Sequence, residues 1–338
     1  MTITVAVDMM SGDRGLQVTA PAVSQALGRM PDLFVIAVGE QAAMASALEE
    51  LQNADRLCFV AASEVVEMNE PAAMAVRAKK DSSLRVSINQ VAEGAADACV
   101  SSGNTGALMA TARFVLKTLS GIDRPAIVSA LPRADGHVHV LDLGANVEST
   151  PQHLLQFGMM GSSLVRSLEG IREPTVALLN VGSEEIKGNN TVKAAAELFQ
   201  DSSLNFVGYV EGDDIFNGHV DIIVCDGFAG NVALKTSEGL AQMLTRTVQE
   251  EFRRGFWSRC VAVLSRSVLD SIRRRIDHRQ YDGAVLLGLR GTVVKSHGGT
   301  DPVGFSRAIE VAHSAAKNGL VENIRKDLDE PVTQKDTA

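Results

Sequence analysis

The sequence is poor in aromatic residues, in cysteine and in basic charge. Aromatic side chains make up 4% of 338 residues and tryptophan occurs once, so the core must be filled by Ala, Val, Leu and Gly, as in layered α/β proteins. The four cysteines (Cys58, Cys99, Cys225, Cys260) are scattered, with neither a CxxC pair nor metal-ligand spacing. That excludes a disulfide framework and points to a reducing, cytoplasmic setting. Cys99 and Cys225 lie within apolar strands, where an inert buried thiol is expected. A formal charge of −9 excludes a nucleic-acid binder of the whole-surface kind, though not a local basic patch. No apolar run reaches the roughly 18 residues that span a bilayer. The opening MTITVAVDMM has no basic n-region and carries Asp8, so it reads as a first strand and not as a signal peptide. Nucleotide and hydrolase signatures are missing too: no GxGxxG after the first strand, no GxxxxGK[ST], no HExxH and no GxSxG. The seven histidines form no metal pattern, and His137 and His139 read as exposed positions flanking a strand. No metal and no cofactor are expected.

What is present is an alternation of short apolar runs and helical patterns. ITVAV (3–7), LFVIAV (33–38), LCFV (57–60), ACV (98–100), AIVSAL (126–131), VHVLDL (138–143), TVALLNV (175–181), NFVGYV (205–210), DIIVCD (221–226) and TVVK (292–295) read as strands. Many are apolar at consecutive positions, which suits strands covered on both faces in a mostly parallel sheet. Helix starts follow Asn69-Glu-Pro71, Asn104-Thr105 and Ser149-Thr-Pro151. The pattern predicts an α/β/α sandwich, one domain over residues 1–325, with a polar flexible tail over 326–338. From about 237 to 281 there is no strand signal, only two helical stretches meeting near Arg254-Gly255, a helical hairpin extension.

Strand ends carry the chemistry. DMMSGD (8–13), SSGNTG (101–106), GANVE (144–148), GSEEIKGNN (182–190), DGFAGN (226–231) and KSHGGTD (295–301) each pair Gly with Asn, Ser, Thr or Lys. Glycine lets backbone N–H groups approach an anion, and helix N-termini favour negative charge. Six such loops on one rim, at the carboxyl ends of parallel strands, predict a phosphate site, whereas any single one of them needs no more than a turn to explain it. If phosphate is the nucleophile, the protein need only hold it, polarise a carbonyl and manage a leaving group. Lys187 and Asn189 are candidates for phosphate, and Asn104, Thr105, Asn146 and Asn231 for carbonyl or phosphate contacts. Asp8 and Asp226, at strand ends, are expected to orient neighbours.

Taken together, SSGNTGALMA, GIDRPAI, LDLGANVE, QFGMMG, LLNVGSEEIKGN, NFVGYVEGDDI, CDGFAGNVALKTSEG and GAVLLGLRGTVVKSHGGTD closely resemble the bacterial acyl-[acyl-carrier-protein]:phosphate acyltransferase family over about residues 4–318. DMMSGD departs from that family's usual Asp-Ala-Met-Gly-Gly-Asp. The family resembles phosphotransacetylases and isopropylmalate dehydrogenases, which implies their fold. The resemblance also implies transfer of a long-chain acyl group from acyl carrier protein to inorganic phosphate. The acyl phosphate product would pass to a membrane acyltransferase acting on glycerol 3-phosphate in phospholipid synthesis. A homodimer, cytoplasmic and peripheral to the membrane, is implied as well. In phosphotransacetylases the loop matching KSHGG carries Ser and a cation near the thioester. By that resemblance Lys295 neutralises phosphate charge, Ser296 contacts phosphate or the oxyanion, and His297 protonates the leaving thiolate or stabilises charge. Asp301 matches their acidic residue at a different spacing.

The hairpin is the basic exception. Residues 253–279 hold eight arginines against two acids, mixed with apolar residues at helical spacing. Three readings stand: a helix packed at a dimer interface, a membrane-surface helix, or a docking face for the acidic carrier protein. Arg254, Phe256, Trp257, Val261, Leu264, Arg273 and Arg274 are its candidate contacts. Rival functions are a phosphate acyltransferase using small CoA thioesters, which needs no such hairpin; an oxidoreductase of the isopropylmalate-dehydrogenase type, which needs a metal-binding carboxylate cluster; and a non-catalytic membrane scaffold, which needs no polar glycine loops.

Overall fold

The computed structural model describes residues 1–50, 54–269 and 278–329; Arg273 and Arg274 lie outside the described residues. The strands are β1 (Ile3–Asp8), β2 (Leu33–Gly39), β3 (Leu57–Ala61), β4 (Ala98–Ser101), β5 (Ala126–Arg133), β6 (Gly136–Leu141), β7 (Thr175–Leu179), β8 (Asn205–Val210), β9 (Ile222–Val224), β10 (Ala284–Leu287) and β11 (Thr292–Lys295). The helices are α1 (Leu16–Arg29), α2 (Gln41–Glu50), α3 (Ala72–Arg77), α4 (Ser83–Ala92), α5 (Thr105–Leu116), α6 (Pro151–Glu169), α7 (Asn190–Gln200), α8 (Asp214–Asn217), α9 (Gly227–Arg253), α10 (Phe256–Leu264), α11 (Pro302–Lys317) and α12 (Leu320–Asp329).

Among the described residues the strands form one 11-stranded sheet, ordered β3-β2-β1-β4-β11-β10-β5-β6-β9-β7-β8. Side chains alternate between its faces, which divides the core in two. Val5, Val7, Val100, Val294 and Leu141 pack beneath α1, α6, α11 and α12. Ala6, Cys99, Val293, Val138 and Val140 lie on the other face, in one cluster with residues of α3, α4, α5 and α8. Helices on both faces explain the unbroken apolar runs, and the α/β/α sandwich holds.

The pairing corrects one expectation. β1, β2, β3, β4 and β11 are parallel, as are β6, β7, β8 and β9. Between these groups three successive antiparallel pairings run β11 to β10 to β5 to β6. An odd number of reversals makes β6, β7 and β9 run opposite to β1, β4 and β11. The six loops therefore leave from two edges, three at each, and not from one rim. β10, a four-residue strand absent from the sequence-based reading, helps make the reversal.

The hairpin begins earlier than 237, because α9 starts at Gly227, and its two helices meet at Arg254-Gly255 as expected. α12 runs to Asp329, into the segment expected to be tail. Among the described residues no helix is long and apolar enough to cross a membrane.

Candidate active site

Strand direction brings three loops together: 8–15 after β1, 101–105 after β4 and 295–301 after β11, strands that are neighbours in the sheet. Asp13 N–H donates to Gly298 O at 3.0 Å, and Arg14 Nη2 to Thr300 O at 2.8 Å. Ser296 N–H donates to Ser101 O at 3.0 Å, and Ser11 Oγ lies 3.0 Å from Ser102 Oγ. Gly12 sits at φ +82, where a Cβ would lie 2.6 Å from Ser102 Oγ, so only glycine lets the first two loops touch.

Lys295 is the last residue of β11 and is only 9% exposed. Its Nζ donates to the carbonyls of Ser102 and Ser296. Burial pushes its pKa down to about 8; Lys235 adds to the depression, while Asp282 and Asp13 oppose it. A buried ammonium at this position is held by carbonyls, with Asp282 and Asp13 supporting its charge, and still has charge to offer an anion.

Ser296 is fully buried and its Oγ donates to Asp282 Oδ2 at 3.0 Å. The same oxygen accepts from Thr300 Oγ1 at 2.5 Å, and Asp282 Oδ1 accepts from His297 N–H at 3.1 Å. One carboxylate thus holds both ends of the glycine loop. The His297 side chain is exposed, and its Nδ1 accepts from Gly299 N–H at 3.1 Å. With Nδ1 engaged as an acceptor, the proton of the neutral ring sits on Nε2, the nitrogen free to donate. Partial desolvation, Lys235 and Lys295 hold its pKa below the ordinary value, with Glu238 and Asp282 opposing, so the ring is neutral near pH 7.

Several other sequence candidates take structural roles. Asn104 caps α5 through Ala107 N–H (2.9 Å) and donates to Met68 O and Glu70 O, tying the loop 68–70 to this site. Thr105, beside it, is exposed in the first turn. Asp301 caps α11 and pairs with Arg279 at 2.8 Å, so its carboxylate is already engaged. Asn146 is buried, donating to Pro125 O and Asp142 Oδ2. Asn189 caps α7. Lys187 is exposed and pairs with Glu184 at 2.7 Å. Asn146, Lys187, Asn189 and Asn231 belong to the opposite edge. There Asn231 lies against Gly144, and Gly227 packs so tightly on Asn146 O that a Cβ would approach to 2.4 Å. Polar residues at strand-to-helix junctions are good caps for the same reason that they resemble ligands: their oxygens accept orphan N–H groups. Asp226 likewise caps α9.

The edges communicate through α9. It starts at the carboxyl end of β9, and Lys235, eight residues or roughly 12 Å along it, is close enough to shift Lys295 and His297. Lys235 pairs with Glu238 at 2.7 Å. Sequence reasoning passed over both Lys235 and Asp282. The first lies within FAGNVALK, a motif carrying the family resemblance; the second reads locally as an Asp-Gly turn. Cys99 and Cys225 are buried with thiols pushed far up by burial, Asp8 adding to this for Cys99 and Asp142 for Cys225, which makes them inert as nucleophiles.

Comparison with known proteins places the chain in a family and a fold. The profile of the family described as "Fatty acid synthesis protein" matches residues 3–323. Proteins named phosphate acyltransferase from Paraburkholderia phytofirmans and Paraburkholderia xenovorans are 55% and 54% identical over 332 residues, spanning 98% of this chain and 90% of theirs. Solved structures share the fold at low identity. A phosphotransacetylase from Streptococcus pyogenes has a TM-score of 0.61 at 17% identity, covering 94% of both chains. A branched-chain phosphotransacylase from Enterococcus faecalis has 0.61 at 16%, covering 93% of this chain and 99% of that one. With a family profile and close relatives that each span nearly its whole length, the chain belongs to the phosphate acyltransferase family of fatty acid synthesis proteins.

Proposed function

We propose that the acyl donor is a long-chain acyl-[acyl carrier protein], the acceptor inorganic phosphate and the product acyl phosphate. The observation that carries the reaction chemistry is Lys295: a buried cation at the mouth of a glycine loop, flanked by Ser296 and His297. A phosphate oxygen attacks the thioester carbonyl carbon, a C–O bond forms, and the C–S bond breaks with its electron pair leaving on sulfur. Lys295 offsets the phosphate charge and orients the attacking oxygen. The Gly298 N–H of the same loop stabilises the oxyanion, while Ser296, its hydroxyl donated to Asp282, fixes the loop's shape. His297 Nε2–H donates to the departing thiolate and is reprotonated from solvent, to which the ring is open.

The hairpin supports carrier protein over a small CoA thioester. Phe256 and Trp257 are 74% and 80% exposed, and Val261 and Leu264 50% and 83%, on a segment rich in arginine. A long acyl chain held on an acidic carrier, and a product destined for a bilayer, suit such a surface. Leu240, Met243, Leu244 and Val248 form an exposed apolar row along α9, which supports a homodimer. On this reading the enzyme works in the cytoplasm at the membrane surface and hands acyl phosphate to a glycerol 3-phosphate acyltransferase.

The test is incubation of the protein with long-chain acyl carrier protein and phosphate. Phosphate-dependent loss of thioester, with acyl phosphate trapped as hydroxamate, is expected. Turnover of short acyl-CoA with none of acyl carrier protein overturns the donor assignment.

A further inference from the structure

His137 and His139 depart from the sequence-based reading: they converge with Glu169, and His139 is 8% exposed, hence buried. They stand two apart on β6, so both side chains leave the same face of the sheet. α6 ends on Glu169 because Gly170 follows in the left-handed conformation (φ 72), which leaves the carboxylate facing the strand. Both Nε2 atoms reach one carboxylate oxygen, that of His137 at 2.8 Å and that of His139 closer still. The rings meet edge to face with centroids 5.2 Å apart, and the three ligand atoms lie within 4.8 Å of one another.

We propose that His137, His139 and Glu169 bind a single divalent transition-metal ion of the zinc class, which clamps the β5–β6 hairpin to the end of α6. Two imidazole nitrogens and one carboxylate oxygen suit zinc; magnesium and calcium take oxygen shells. Zinc–ligand bonds of about 2.0–2.1 Å in a tetrahedron place ligand atoms about 3.3 Å apart. Both histidine–carboxylate contacts are shorter than that and the three atoms lie within 4.8 Å of one another, so the ion enters as small side-chain shifts open the two contacts. Side-chain exposures of 36%, 11% and 27% leave one side open for entry and for a water as fourth ligand. Strand alternation sets His139 on the core face of Leu141, whereas Lys295 shares the face of Val293, so the metal lies across the sheet from the buried lysine. The inference is independent of the acyl donor.

Metal-stripped full-length protein, titrated with zinc chloride and in parallel with cobalt chloride, tests it. One equivalent of zinc should bind and raise the thermal midpoint, as a ligand of the folded state must. Cobalt should give the visible bands of a tetrahedral site. His137→Ala, at the most exposed ligand, and Glu169→Gln should each weaken zinc binding about tenfold or more. Retained affinity in His137→Ala, or no stoichiometric binding at micromolar zinc, overturns the proposal and leaves a hydrogen-bonded His–Glu–His cluster. If Glu169→Gln fails to fold, His137→Ala decides alone.

Discussion

Asp282 and Ser296, fourteen residues apart and on different strands' flanks, are joined by a 3.0 Å hydrogen bond from the Ser296 hydroxyl to Asp282 Oδ2. With Thr300 Oγ1 and His297 N–H on the same carboxylate, Asp282 sets the shape of the loop that carries Ser296 and His297. It also supports the charge on Lys295.

Replacing Asp282 should therefore have two effects. Asp282→Asn should lower turnover about 10²-fold, a loss of the size seen when a transition-state contact is misplaced. It should also move the alkaline limb of the pH–rate profile to lower pH, because a group that raises the Lys295 pKa is gone. Slower turnover with an unmoved limb would reduce Asp282 to a purely structural residue.

The wild-type limb has a defined place. Lys295 works as a cation and its pKa is lowered to about 8, so turnover at saturating phosphate should fall as pH rises through about 8. Lys295→Arg keeps the charge throughout that range. Its residual activity, about 10²-fold lower for lost geometry, should show no limb near 8. A limb that persists there assigns the titration to another group.

Asp8 makes a prediction about stability. It is 2% exposed, and burial raises its carboxyl to about 6 against the opposing polar influence of Ser83, Ser101 and the Met10 backbone. A folded-state pKa above the unfolded value means that ionisation opposes folding. The penalty is absent below about 4, grows between about 4 and 6 and is complete above. Asp8→Asn keeps an acceptor for Ser101 and should stabilise the protein by about 1–3 kcal/mol at pH 7. Denaturant unfolding should show that difference shrinking towards zero near pH 4. Destabilisation at pH 7 would mean that the carboxylate has a cationic partner in the working protein.

The hairpin is tested at the membrane. Replacing Phe256, Trp257, Val261 and Leu264 by Ser should release the protein from anionic vesicles while sparing turnover of soluble acyl carrier protein substrate, and wild-type binding should weaken as salt rises. The four side chains are exposed, so folding should survive. A variant that still sediments with vesicles places lipid binding elsewhere; a monomeric variant assigns these residues to the dimer contact. Replacing Arg254, exposed and paired locally with Glu251 at 2.8 Å, by Ala should raise KM for the carrier-bound substrate if the hairpin docks it.

Local physics made much of this protein legible in its sequence. Consecutive β-branched residues marked strands buried on two faces, Thr150-Pro151 and Asn104 marked helix starts, and Gly255 marked the break between α9 and α10. The Lys295-Ser296-His297 loop stood out because a core strand has no reason to end in such residues. Each of these signals is carried by residues adjacent in the chain. Tertiary structure alone decided how they combine. Strand direction depends on hydrogen bonds between distant segments, and the four-residue β10 helps turn half the sheet around, which separates Lys187, Asn189 and Asn146 from Lys295. Asp282 gains its role from partners fourteen and eighteen residues away, and Lys235 from the run of a helix that begins at the other edge. His137 and His139 become a cluster only because α6 ends with Glu169 against their strand. Burial does the rest: the same lysine in water would be an ordinary cation, and beneath Ser102 and Ser296 it titrates near 8.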